Sequence, residues 1–524
     1  MPQYFTPGVY IEEIERGPRP IEGVATSTAA FLGETERGPT LPRLVTGFNG
    51  FTRWFGSTFG QSQFMPHAAN GFFDNGGQQL YVCRIVHRAA DETTASRTFG
   101  GIVVDATGSG SWGNRVWARV ADSTTRRPDP ANPGQTIPVG INLTTAYWAT
   151  APAGGLFDPL DPANATLLPR PQLVETFNDV SLDPASPDFF DRRVNGNSAL
   201  VEIRRQDNQP PSTLPPATAA NDAGALTNGA TSATAISAAD YTGDDPDPSR
   251  RIGLAALLLD DYRDVALLYS PAAAETVVRE LITQCENQKF RFTAIDSPAG
   301  SGDASTIDPR TTLTDTEYAA FYYPWIYVTD PSSGAKMLGP PGGHVLGVYA
   351  RTDSTRGVYK APANETVADV IDLEFKVDDG TQAVLNPRGV NAIRNLPGRG
   401  IRIWGARTLS SNALWKYVPV RRLFIFLERS IYEGTQWVVF EPNDERLWAR
   451  VKDSIRLFLR TQWREGALMG TTEDQAFRIV CDRTTMTQDD ILNGRLICEI
   501  GVAPVRPAEF VVFRIYQNTA EAQT

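Results

Sequence analysis

Histidine, lysine and cysteine are all scarce in this chain, and each scarcity closes off a class of chemistry. Only His67, His87 and His344 occur in 524 residues. None stands at zinc-ligand spacing from a cysteine or another histidine, and no His-Glu-x-x-His is present, so the common zinc patterns are absent. The four cysteines, Cys83, Cys285, Cys481 and Cys498, form no Cys-x-x-Cys pair, which fits buried thiols in a reducing compartment. Lysine numbers 6 against 43 arginines, with none before Lys289. There is no Gly-x-x-x-x-Gly-Lys-Ser/Thr; Lys336 and the glycines after it run in the wrong order, so no nucleotide-binding loop is visible. The longest apolar runs, such as 252–259, are far too short to span a bilayer. The N-terminus carries Glu12, Glu13 and Glu15 and lacks an apolar core, so no secretory signal is expected and synthesis and folding in the cytosol are.

What is present is globular. The chain is 41% hydrophobic and 21% charged, ample for core and surface, and its length suggests roughly three or four domains. A net charge of −11 argues against a nucleic-acid surface as the main role. The preference for arginine suits bidentate interface contacts, but a GC-rich coding sequence is the better explanation, since it also accounts for the abundant Ala, Gly and Pro.

The two ends carry the most information. Thr6-Pro-Gly-Val-Tyr-Ile-Glu-Glu-Ile14 and Glu509-Phe-Val-Val-Phe-Arg-Ile-Tyr516 both read as short strands. Gly17-Pro18-Arg19-Pro20 cuts the first off from the body of the chain. A short strand on a detached arm has unpaired N–H and C=O groups along both edges and is stable only when it joins a sheet. If that sheet belongs to a second copy of the chain, the arm is a device for polymerisation.

Between the ends, 24–32 and 79–86 read as buried strands, 61–75 as helix, and 92–99 as a polar linker. From about 100 to 205, short strands separated by Pro-rich and Gly-rich joins suggest an all-β insertion, followed by a flexible surface segment at 206–250. Strand 264–269, a helix capped by Ser270-Pro271 and strand 290–295 form a βαβ unit, which calls for a parallel sheet, and 322–328 continues it. Later elements are strand 401–404, helix 420–432, strand 436–440, a long helix from an Asn443 cap to about Arg464, and strands at 476–481, 495–502 and 509–516. On the long helix an apolar stripe faces Arg446, Arg450, Lys452, Arg456, Arg460 and Arg464, with few acids. An ordinary amphipathic helix accounts for this; so does a docking surface for an acidic partner. His344 falls in Gly339-Pro-Pro-Gly-Gly-His344, which reads as a turn-rich loop, and neighbouring Asp353 and Ser354 do not make a triad by adjacency alone.

Several stretches, in the same order along the chain, resemble the tail sheath protein family of contractile phage tails and contractile injection systems. They are Thr6-Pro-Gly-Val-Tyr-Ile-Glu-Glu, Ala29-Ala-Phe-Leu-Gly-Glu-Thr-Glu-Arg-Gly-Pro39, Ser111-Trp-Gly-Asn114 and Glu175-Thr-Phe-Asn-Asp-Val-Ser181. Pro341-Gly-Gly-His through Glu365, Gly400-Ile-Arg-Ile-Trp-Gly-Ala-Arg-Thr408 and Tyr417-Val-Pro-Val-Arg-Arg422 complete the set. The resemblance implies an α+β multidomain subunit with a mixed α/β core, an inserted all-β domain and a C-terminal α+β domain completed by strands of neighbouring subunits. It divides the chain into a linker arm (1–20), a discontinuous sheath domain (21–97 with 251–390), an outward β domain (98–205), a low-complexity segment (206–250) and a C-terminal domain (391–524). It places strand exchange at Val9, Tyr10, Ile11, Glu12, Phe510, Val511, Val512, Phe513 and Ile515, and the inner-tube contact on the six cations of the long helix. The implied partners are further copies of the chain, an inner tube protein, baseplate and cap proteins and a disassembly ATPase, with no cofactor, no metal, no catalytic residue, no direct nucleic-acid contact and no membrane span. Assembly in a bacterial cytoplasm is implied, with the particle kept inside or released. The competing reading from the residues is an enzyme or carbohydrate-binding protein with its site near His344 and Trp112.

Overall fold

The computed structural model describes residues 20–57, 60, 63–129, 132–206, 222–330 and 333–514. They form two compact units of mixed α/β structure, the larger from 26–355 and 362–418, the smaller from 20–25, 356–361 and 419–514.

The larger unit is organised by a nine-stranded sheet in the order Glu365–Thr366, Gly400–Ile403, Val390–Leu396, Ala319–Tyr323, Phe292–Asp296, Leu267–Tyr269, Ala29–Gly33, Leu80–Arg84, Arg43–Val45. The pairings from Val390–Leu396 to Leu80–Arg84 are parallel, and the outer ones antiparallel. A parallel strand covered on both faces must be apolar without alternation. Ala-Ala-Phe-Leu-Gly at 29–33 and Ala-Ala-Phe-Tyr-Tyr at 319–323 are buried throughout. The expected βαβ unit is present: Leu267–Tyr269 and Phe292–Asp296 pair in parallel across helix Glu275–Gln288, which buries Val277, Val278, Leu281, Ile282 and Cys285.

Three expectations here need correction. Helix Glu275–Gln288 starts after Ala274, not at Ser270-Pro271, because Ala272 takes a left-handed φ of 51° and gives its N–H to Asp296. The strand expected over 322–328 is broken by Pro324, which has no N–H to give the ladder. Ile326–Thr329 joins a separate sheet with Lys336–Gly339 and Val370–Leu373. The glycine-rich stretch before His344 is not a loop but the start of helix Gly342–Arg356, whose glycines serve close packing. A Cβ on Gly343 would lie 2.4 Å from the Ala68 carbonyl oxygen, and one on Gly347 2.4 Å from that of Phe72, both on helix Met65–Asp74. Gly347→Ala is therefore expected to destabilise this unit by about 2 kcal/mol, read by denaturant unfolding; no shift of the midpoint would contradict the close contact.

Between Ser96 and Ala225 the strands are antiparallel. Leu173–Val180, Ile141–Tyr147, Val116–Asp122 and Asp222–Ala225 make one sheet, and Val201–Arg205, Ile102–Ala106 and Ser96–Phe99 another. Phe99, Ile102, Trp112, Val116, Tyr147, Leu200 and Ile203 share their core. Two segments expected to be unstructured belong here. Ser96–Phe99, taken as linker, is a strand. Within 206–250, Asp222–Ala225 is a strand, although poor in apolar residues: Arg97 lies against Gly224 and pairs with Asp222 at 2.9 Å. Further on, helix Ala238–Thr242 is closed by a Ser237/Asp240 capping box.

The smaller unit packs helices Val418–Gly434 and Glu445–Arg464 against a two-stranded sheet, Phe477–Val480 with Glu499–Val502. Leu423, Leu427, Trp448, Val451, Ile455, Phe458, Leu459 and Phe477 form its core. The strand expected over 436–440 is a short turn, Gln436–Val438, followed by Phe440 at a φ of 67°, which takes the chain out of extended geometry before Pro442.

Candidate assembly surfaces

Helix Glu445–Arg464 is capped by Asp444, whose carboxylate accepts the Leu447 N–H at 2.8 Å; Asn443, the expected cap, instead accepts from the Trp448 indole. Leu447, Trp448, Val451, Ile455, Phe458 and Leu459 bury one stripe, as a 3.6-residue period requires. The six cations do not act alike. Glu473 receives both Arg456, at 2.9 Å, and Arg460, at 2.7 Å, and Arg450 meets Glu441 at 3.2 Å. Arg446 and Arg464 are exposed and have no ion pair among the described residues. Lys452 is half-buried and stands apart, close enough to Cys481, Cys498 and Asp482 to favour their anionic forms. Exposed ion pairs of this kind contribute under about 1 kcal/mol each, so they orient the arginines more than they stabilise the helix. Leu457 lies exposed within the same basic face. The sequence could not show Glu473 as counter-ion, because that contact is tertiary.

The other candidate surface is the C-terminal segment. Val505 N–H still bonds to the Ala467 carbonyl, but 506–514 belong to no sheet. Phe510, Val511, Val512 and Phe513 are 73%, 68%, 77% and 84% exposed. In extended form Phe510 and Val512 would share one face and Val511 and Phe513 the other, so a receiving site must offer apolar cover on both sides. Four consecutive large apolar side chains thus stand in water, which is unusual for a solvent-facing tail. The nearby sheet is itself incomplete: among the described residues Phe477–Val480 and Glu499–Val502 each have one strand neighbour, and two strands alone are marginal. Ile515 of the expected strand, and Val9, Tyr10, Ile11 and Glu12 of the arm, lie outside the described residues. Where the described chain begins, Ile21 is buried against Gly434 and Val24 N–H bonds to Ser430 Oγ at 3.2 Å, so the exit of the arm is pinned to helix Val418–Gly434.

Sequence reasoning missed Phe440, which is fully exposed and conformationally strained. The one signal for it is a lone aromatic between a turn and Pro442 in a polar stretch.

The residues of the enzymatic reading do not come together. His344 is 2% exposed, packed against Gly71 and near His67, and its pKa is pushed down to about 4 by burial. No ring nitrogen of either histidine has a hydrogen-bond partner among the described residues. Trp112 sits in the antiparallel core and donates to the Ser109 carbonyl. A cavity of about 1000 Å³ beyond the ends of strands Ala29–Gly33 and Leu80–Arg84 is lined by Trp112, Arg84, His87 and Arg115, but not by His344. His87 is held there by Asp240 at 3.1 Å, and Glu36 by the Tyr147 hydroxyl at 2.7 Å.

Comparison with known proteins bears on the family of the chain. Residues 234–409 match the model of the phage tail sheath protein central domain, and residues 410–518 that of the phage tail sheath C-terminal domain. The tail sheath protein of Vibrio phage KVP40 is 24% identical over 264 residues, 50% of this chain and 38% of that protein. That of Burkholderia phage BcepMu is 26% identical over 228 residues, 41% of this chain and 45% of that protein. The match thus spans less than half the length of these curated relatives. Among solved structures, the contracted sheath of the extracellular contractile injection system PVC superposes with a TM-score of 0.58 at 22% identity, covering 99% of this chain and 100% of that one. The contracted helical sheath of the anti-feeding prophage gives 0.57 at 24%, covering 98% and 99%.

Proposed function

We propose, from the premise that this chain belongs to the tail sheath protein family, that it is the structural subunit of a contractile sheath. Copies polymerise helically around an inner tube in a metastable extended state, then collapse to a shorter, wider one and drive the tube through a target envelope. The observation that carries this reading is the exposed Phe510-Val511-Val512-Phe513 run beside a two-stranded sheet whose edges are open among the described residues. A strand donated head-to-tail is a heterologous contact, and one that does not close generates a helical filament. Strand addition supplies directional backbone hydrogen bonds that persist while the attached bodies rotate. Residues 7–14 of one copy and 509–516 of another complete the sheet Phe477–Val480/Glu499–Val502 of a third. Two packings that differ by only about a few kcal/mol per subunit suffice, because many subunits convert together.

The exposed arginines of helix Glu445–Arg464, with Arg446 and Arg464 unpaired among the described residues, suit an acidic surface on the inner tube. Residues 98–205 form an outward β domain; the sheath domain expected over 21–97 with 251–390 runs on to 418, since Val390–Leu396 and Gly400–Ile403 lie in its nine-stranded sheet, and the C-terminal domain expected from 391 starts after 418. Sheath, baseplate and cap proteins are the partners, and the role is structural rather than catalytic. Assembly takes place in a bacterial cytoplasm. No helix among the described residues is long and apolar enough to cross a membrane.

Deletion of residues 1–16 tests the reading. The truncated protein should remain folded by circular dichroism and form no tubes by electron microscopy. Tubes unchanged in length and number would remove the arm from the mechanism.

A further inference from the structure

The pairing of the two C-terminal strands brings together two cysteines that are 17 positions apart in sequence. Phe477 faces Val502, Arg478 faces Gly501, Ile479 faces Ile500 and Val480 faces Glu499, so the next pair in register is Cys481 with Cys498. The ladder phase is set by the Ala503 N–H donating to the Ala476 carbonyl, which makes 477/502 a non-hydrogen-bonded pair. Counting in twos, 481/498 is one as well. At such pairs the α-carbons approach to about 4.5 Å, within the range a disulfide spans. The two side chains are close enough that each thiol changes the proton affinity of the other.

Their surroundings favour reaction over mere packing. Cys481 is 1% exposed and lies in the core of the smaller unit, whereas Cys498 is only partly buried, which leaves one member of the pair open to a small oxidant. The Cys498 thiol and the Lys452 ammonium favour the anionic form of Cys481, against its burial and Asp482. A thiol whose anionic form is favoured, beside a second thiol and a cation, is the arrangement that makes a cysteine pair oxidisable. The remaining two cysteines differ. Cys83 and Cys285 are fully buried, and burial raises both thiols well above their ordinary range.

We propose that Cys481 and Cys498 are a peroxide-sensitive pair that closes into a disulfide across the sheet Phe477–Val480/Glu499–Val502. One thiol takes an oxygen from hydrogen peroxide, becoming a sulfenic acid and releasing one water. The other attacks that sulfur and expels the hydroxyl as a second water. The protein loses two protons and two electrons, and the peroxide takes them up to become two waters. The bond closes the loop 482–497, which carries helix Gln488–Leu492, and ties down the strand that leads to the exposed C-terminal segment. In a particle that meets an oxidising exterior, this staples the base of the exchanged strand; that consequence rests on the sheath reading, the bond itself does not.

The test is peptide mapping of the full-length native protein, reduced, desalted, exposed to hydrogen peroxide, then alkylated and digested without reductant. The expected result is one linked peptide pair joining Cys481 to Cys498, an intact mass lower by two hydrogens, and reversal by thiol reductant. Cys83 and Cys285 should be alkylated only after unfolding. Cys481→Ser and Cys498→Ser should each abolish the link, and the wild-type map stands without them should either fold poorly. Sulfinic acid at Cys498 with no link, or two thiols left free throughout, would overturn the proposal. The map reads the same for monomers and tubes, so its failure leaves the sheath reading untouched.

Discussion

Val512→Asp should abolish tube formation while leaving the subunit folded. Val512 is 77% exposed and lies outside every sheet of its own subunit, so an aspartate there costs the isolated fold almost nothing. In the proposed assembly the same side chain enters a site that must cover apolar groups on both faces of the strand. Burying Phe510, Val511, Val512 and Phe513 contributes about 1.5–3 kcal/mol per side chain before ordering costs. An unpaired carboxylate replaces one of these terms with a desolvation penalty of several kcal/mol. A loss of about 3 kcal/mol or more per contact raises the concentration needed for polymerisation by over about 100-fold. Sedimentation across a concentration series measures it, with Val512→Ile as the tolerated control. Tubes of Val512→Asp at the wild-type concentration would mean that the segment does not bind a neighbour.

The second large effect is on acid stability and comes from His344. Its folded pKa is pushed down to about 4 by burial, against an unfolded value near 6.5. Above pH 6.5 it contributes nothing to pH dependence. As the pH falls from 6.5 to 4, the unfolded chain takes up a proton that the folded chain refuses, so stability drops, by about 3 kcal/mol in all, and then levels off. Asp296 acts in the opposite sense. It accepts from the Tyr269 hydroxyl and the Ala272 and Gly342 N–H groups, yet desolvation still pushes it up to about 6. Its residue keeps some exposed surface, so its contribution is the smaller. That contribution is fully present below pH 3.8 and is lost as the pH rises through 6. The two partly cancel in the wild type, and the informative quantity is the difference between variant and wild type. His344→Leu should gain about 3 kcal/mol relative to wild type as the pH falls from 6.5 to 4, read by denaturant unfolding at each pH. A difference that stays constant across that range would mean that the imidazole titrates normally.

How far the sequence could be read depends on where each element gets its stability. The parallel strands were legible where cover on both faces demands an unbroken apolar run, as at 29–33, whereas Ala319–Tyr323 was misplaced onto 322–328 across Pro324. The long helix was legible from its stripe at 447, 448, 451, 455, 458 and 459. Strand Asp222–Ala225 was not, since its place depends on Arg97, distant in sequence, rather than on its own side chains. Helix Gly342–Arg356 was misread because glycines that permit close helix packing look, in sequence, like glycines that make turns. At the surfaces, the C-terminal apolar run was plain, whereas the pairing of Arg456 and Arg460 with Glu473 and the juxtaposition of Cys481 with Cys498 are products of the fold.

Completion of each subunit's small sheet by strands from its neighbours is the centre of the proposed assembly. Cryo-electron microscopy of tubes formed by the full-length chain tests it most directly. Density for residues 7–14 and 509–516 of neighbouring copies is expected along the open edges of Phe477–Val480 and Glu499–Val502. Tubes in which each chain's own ends fold back onto that sheet, or a protein that stays monomeric at every concentration, would contradict it.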